Sequence, residues 1–113
     1  MMRTKDSPVR SEAYRRLVAS LPCIYCTYQG HSQAAHGPTI GRGIKCDDRE
    51  TFPLCADGPM WRGCNTSFDK YEMGDDEWRR TTATRWAAET RAEIEAAGLW
   101  PKNLPKLICN SEE

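Results

Sequence analysis

From Ser11 the chain places apolar or aromatic residues at Ala13, Tyr14, Leu17, Val18 and Leu21, a three-and-four spacing that predicts one short amphipathic helix over residues 11–21, closed by Pro22. Ser11 is its N-cap by residue type, and Glu12 falls in the first turn. Residues 23–55 lack helical periodicity. Turn formers in "QGHSQ", "HGPTIGRG" and "CDDRE" separate short stretches such as "SQAAH" and "TFPLC", which suits brief strands and loops. The stretch 65–72 suits one or two helical turns, ended by Gly74. Asp75 and Asp76 then start the longest element, a helix over 75–98 with Trp78, Trp86, Ala87, Thr90, Ile94 and Ala97 roughly on one side and Gly98 as its stop. Residues 99–113 read as an irregular tail, residues 1–10 as a mobile basic arm, and no internal repeat is visible.

Length turns this pattern into an expectation about stability. At 113 residues the chain reads as a single small domain with a thin core, so something besides apolar burial is expected to hold it together. Six cysteines, with no charged-then-apolar leader and no membrane-length apolar run, point to a reducing cytoplasm and to metal-held thiolates rather than disulfides. Sixteen basic residues balance sixteen acidic ones, so nucleic acid would have to be met by a local patch rather than by overall charge.

Cys23 and Cys26 form a CxxC knuckle, and Cys55 with Cys64 forms a wider second pair. Two thiol pairs joined by a loop can supply the four soft ligands of a tetrahedral zinc without long-range precision. The segment "ADGPMWRG" must then loop out. A redox CxxC or unpaired buried thiols are the rival readings, the first wanting a βαβ unit that the pattern does not offer. Cys46 and Cys109 are left over, as a loop residue and a tail thiol. Zinc held by four thiolates is coordinatively closed and does no chemistry. Chemistry would need other residues.

The knuckle, "AAHG", the Gly-rich "GRGIKCDD", "TFPLC", and a cysteine followed at once by Asn65 and then by Asp69 together resemble the HNH or ββα-metal nucleases over residues 22–72. The likeness is closest to small phage and prophage members and extends to the recombination endonuclease VII group. It implies a small α+β fold: a zinc-clamped, treble-clef-like ββα unit between an N-terminal helix and a long C-terminal helix. It also implies a metal-dependent DNA endonuclease with little sequence preference, acting in phage recombination or DNA processing inside the host cytoplasm.

Carried over residue by residue, the resemblance makes His36 the general base and assigns Asn65 and Asp69 to a catalytic divalent metal, Mg2+ or Mn2+. Lys45 and Asp48 match the family's Lys and Asp upstream of "PLC", with Asp48 near the middle position of the HNH name and grouped with the catalytic residues. Residues 65 and 69 are i and i+4, so on a helix they share one face. Arg42, Lys45, Arg49, Arg62 and Lys70 surround the site in sequence and are the expected phosphate contacts. Two departures stand out: Ala35 occupies a position where many members carry a ligand, and Asn65 is neutral.

Other readings of the same residues stay open. Asn65 and Asp69 can cap or decorate a short helix, and His31 reads as a plain loop residue. Trp78, Trp86 and Ile94 read as a packing face, whereas Trp61 in the looped-out segment is open to base stacking. An inactive zinc-stabilised nucleic-acid-binding module and a zinc-organised protein-interaction adaptor are the alternatives to a nuclease. A homodimer through the Trp-bearing helix and a recombination protein as partner are both compatible with the sequence.

Overall fold

A computed structural model describes residues 10–37 and 48–105. Arg42, Lys45, Cys46, Cys109, the Gly-rich segment and most of the N-terminal arm lie outside the described residues. The element order is α1 (Glu12–Ala19), β1 (Ser32–Ala35), a single 3-10 turn (Asp48–Glu50), β2 (Phe52–Cys55), α2 (Cys64–Asp69) and α3 (Asp76–Ala96). This is a small α+β fold.

α1 and α3 are bounded by chemistry visible in the sequence. The Ser11 hydroxyl accepts from the Tyr14 amide at 3.1 Å, and the Asp75 carboxylate accepts from the Trp78 amide at 2.9 Å. At the far end of α3 the Leu99 amide donates to the Ile94 carbonyl, the Gly98 amide donates to the Glu95 carbonyl, and Gly98 takes a φ of 74°. That is a Schellman stop, which a residue with a side chain would enter only under strain.

β1 and β2 pair antiparallel, with Ser32 opposite Cys55 and Ala35 opposite Phe52. One side of the sheet carries Ala35, Phe52 and Leu54 into the main core with Phe68, Ala83, Trp86 and Ala87. Ala34, turned the other way by the strand period of two, packs with Tyr14 and Val18 of α1, Ile94 of α3 and the tail residues Trp100 and Leu104. α3 therefore serves both cores, its first half on the main cluster and Ile94 on the second.

The face expected of α3 needs two corrections. Ala97 is exposed, because the helix has ended at Ala96 and residue 97 is its C-cap. Arg79, by contrast, is buried: its Nε donates to the Phe68 carbonyl at 2.9 Å and its guanidinium lies 4.3 Å from the centre of the Tyr71 ring. Arg10, read as the end of a mobile arm, is engaged with Asp48 at 3.3 Å.

A four-cysteine centre and its surroundings

The Sγ atoms of Cys23, Cys26, Cys55 and Cys64 all lie within 4.8 Å of one another. Cys26 Sγ and Cys55 Sγ are 3.8 Å apart. A tetrahedron with metal–sulfur bonds of about 2.3 Å puts its sulfurs about 3.8 Å apart, so the donor set fits zinc in kind and in spacing. The four thiols form a cluster able to hold a structural metal ion.

The backbone is arranged around these sulfurs. The Cys26 amide donates to Cys23 Sγ at 3.4 Å, and the Cys64 amide donates to Cys55 Sγ at 3.3 Å. The Thr27 amide closes the knuckle onto the Cys23 carbonyl at 2.8 Å, and the Ile24 amide ties it to Pro53 of β2 at 2.8 Å. Closing the turn puts Thr27 at a φ of 68°, an uncommon conformation for a β-branched residue. On the other side Gly63 lets α2 start against β2, since a Cβ there would overlap the backbone of Cys55 and Ala56. The Gly63 amide donates to Asp57 at 2.7 Å, and this bond, with the Thr66 hydroxyl behind it, holds the Asp57 carboxyl below its ordinary range.

The thiols differ in their readiness to ionise. Burial pushes Cys23 up, but amide donors from Cys26, Cys55 and Tyr25 outweigh it and bring the thiol below its ordinary value. Cys64 is pushed up by burial and then by neighbouring sulfur, and Cys55 by burial, which outweighs the lowering by its bonds from Cys64. Charge on one sulfur disfavours charge on the next, so the full thiolate set requires a cation to offset it.

The residues expected to carry chemistry divide into two places. His36 directly follows β1, and its Nε2 lies 3.7 Å from Asp48 Oδ1. That is longer than a hydrogen bond, and Nε2 is a buried atom with no hydrogen-bond partner among the described residues. Asp48 is 1% exposed and heavily engaged: the Ser11 amide donates to it at 2.7 Å, Arg15 Nε at 3.0 Å and Arg10 Nη1 at 3.3 Å. Burial raises the Asp48 carboxyl, and these three donors more than reverse that, holding it below the ordinary carboxylate range.

Asn65 and Asp69 sit on α2, which begins at Cys64. Neither caps that helix, whose N-cap is Gly63. Asn65 Nδ2 donates to Gln33 Oε1 of β1 at 2.8 Å, which fixes the amide with Oδ1 as its remaining end. Asp69 is exposed, with Oδ1 3.9 Å from Arg79 Nη2. Among the described residues no hydrogen bond or ion pair joins His36 to Asn65 or Asp69. Of the expected phosphate contacts, Arg62 is paired with Glu72, Arg49 donates to the Pro105 carbonyl at 2.9 Å, and Lys70 is exposed at the end of α2.

Sequence reasoning missed a second arrangement beside the thiols. His31 stacks on Tyr28 with ring centres 5.3 Å apart, and Trp61 meets His31 edge-on at 5.5 Å and Tyr28 at 5.7 Å. An open groove of about 650 Å³ runs past Cys26, Tyr28, Gln29, Trp61 and Arg62. Nothing in the local sequence pairs residue 61 with residues 28 and 31; the cysteines bring them together.

Comparison with models of protein families, with curated proteins and with solved structures finds no match to this chain. Among the described residues no helix is long and apolar enough to cross a membrane.

Proposed function

We propose that this chain is a metal-dependent DNA endonuclease of the HNH kind, with His36 as base and Asn65 and Asp69 as the metal-side residues. The observation carrying this reading is the element order. An antiparallel β1–β2 pair is followed by a helix that begins on Cys64 of the four-cysteine cluster, His36 comes straight after β1, and residues 65 and 69 lie on one face of the helix.

The donor chemistry supports a hard divalent cation at α2. Asp69 offers a carboxylate and Asn65 an amide oxygen left over by its bond to Gln33, a set of the kind that holds Mg2+ together with waters and substrate phosphate. Such a cation, when bound, supplies charge neutralisation at the phosphate and at the departing oxygen. The remaining work falls to the chain. His36, as the general base, takes a proton from the attacking water. Asp48, 3.7 Å from Nε2, opposes the positive charge that the ring then acquires.

The test is cleavage of plasmid and branched duplex DNA by purified zinc-loaded protein with Mg2+, with Mn2+ or with chelator, comparing the parent with His36→Ala and Asp69→Ala. Metal-dependent cutting that both variants lose supports the nuclease and both roles. Variants that cut as well as the parent overturn the site.

One observation favours a second reading. Ala35, where many HNH nucleases carry a ligand, is 3% exposed and packed in the main core, so the chain supplies no ligand there. An inactive DNA-binding module would then retain DNA binding with no cleavage under any metal.

A further inference from the structure

Arg15 is a pinned cation with an unused edge. Its Nε is bonded to Asp48 Oδ2 at 3.0 Å, its side chain is 44% exposed, and among the described residues its two Nη groups have no protein partner. Arg10 Nη1 meets the other oxygen of the same carboxylate, Oδ1, and that oxygen lies 3.7 Å from His36 Nε2. Both guanidiniums therefore converge on the carboxylate that faces the imidazole. Two guanidiniums thus meet one carboxylate beside His36. An anchor for α1 alone would already be complete with the Ser11 amide at 2.7 Å and a single arginine.

We infer that Arg15 forms a phosphodiester-binding site beside His36, in which the buried Asp48 carboxylate holds its guanidinium ready for the nucleic-acid backbone. A free Nη edge matches two oxygens of one phosphate, a geometry that lysine cannot reproduce. Asp48 has already ordered the long side chains, so little rotamer freedom remains to be lost on binding. The site belongs to the N-terminal helix, outside the module delimited by the cysteines. It rests on the reading that nucleic acid is the partner, and not on cleavage.

The experiment is binding of a fluorescein-labelled duplex of about 20 base pairs, long enough to span more than one site of this kind, followed by anisotropy across a salt series without added Mg2+ or Mn2+. The parent is compared with Arg15→Gln, Arg15→Lys and Arg85→Gln, each checked for zinc content and melting temperature. Arg85 on α3, 3.8 Å from Glu89, controls for loss of one positive charge elsewhere. Arg15→Gln is expected to weaken binding about fivefold and to lower the log–log salt slope by about one, with Arg15→Lys in between and Arg85→Gln near the parent. Equal weakening by Arg15→Gln and Arg85→Gln, an unchanged slope in folded Arg15→Gln, or no DNA binding by the parent would each overturn the site. Arg15-dependent binding by a protein that never cuts keeps the site and removes the nuclease; cutting that is indifferent to Arg15 does the reverse.

Discussion

Arg79 Nε donates a 2.9 Å hydrogen bond to the carbonyl oxygen of Phe68, and the same guanidinium lies 5.0 Å from the centre of the Phe68 ring. One side chain of α3 thus satisfies a carbonyl at the end of α2 and covers the ring that α2 puts into the core. Without it the Phe68 carbonyl, in the last turn of α2 that carries Asp69, would keep only the longer bond from the Tyr71 amide at 3.4 Å. Arg79→Met keeps the stem and removes the donors. We expect it to cost about 2 kcal/mol, and Arg79→Lys to recover only part of that, since an ammonium cannot bond and lie flat at once. Urea unfolding of zinc-loaded proteins measures both.

The knuckle carries a removable cost. Thr27 at a φ of 68° pays for a conformation that glycine adopts freely. Thr27→Gly is expected to raise stability by about 1 kcal/mol, or roughly 4 °C in melting temperature for a domain of this size, with one zinc per chain retained. A lower melting temperature would mean that the Thr27 hydroxyl, which bonds the Cys26 carbonyl, contributes more than the strain costs.

Metal removal should be felt throughout the main core, because Cys23 and Cys55 belong to it. We expect a strong chelator to abolish the cooperative melt, and Cys64→Ala to lose both the zinc and the fold. Cys26→Ser, at the exposed corner of the cluster, should be the mildest of the four thiol replacements. Zinc content by elemental analysis, paired with near-ultraviolet circular dichroism, reads both effects.

Acid should act partly through Asp48. Its folded-state carboxyl is held below the 3.8 of an unperturbed group, so the unfolded chain binds the extra proton first. The stabilisation is fully present above that ordinary value and is lost as pH falls through the lower folded-state value. In urea titrations Asp48→Asn should be less stable than the parent at pH 6, and the gap should narrow toward pH 3. A gap that stays constant with pH would mean that shape, and not charge, is what Asp48 contributes.

How legible these features were follows the distance over which each is determined. Ser11, Asp75 and Gly98 act on amides and carbonyls a few residues away, so residue type alone marks the helix ends. The thiol pairs were legible because zinc geometry restricts which residues can serve. Arg79 was not, since its burial depends on the Phe68 carbonyl, eleven residues back at the end of another helix. The engagement of Asp48 by Arg10 and Arg15 spans 38 and 33 residues, and His31 meets Trp61 only across the closed cluster. No local pattern encodes such meetings.

The placement of Cys23 and Cys55 inside the apolar core has a consequence for the chain's lifetime. A peripheral metal leaves a folded body behind when it departs; here the thiols lie in the same cluster as Phe52, Phe68 and Trp86, so a chain that loses a bound ion is expected to loosen the packing of those rings. Such a chain is a substrate for proteases before it is a weakened version of itself. Abundance would then track the supply of zinc at the time of synthesis, and a cell that withholds the metal would remove the protein rather than merely silence it.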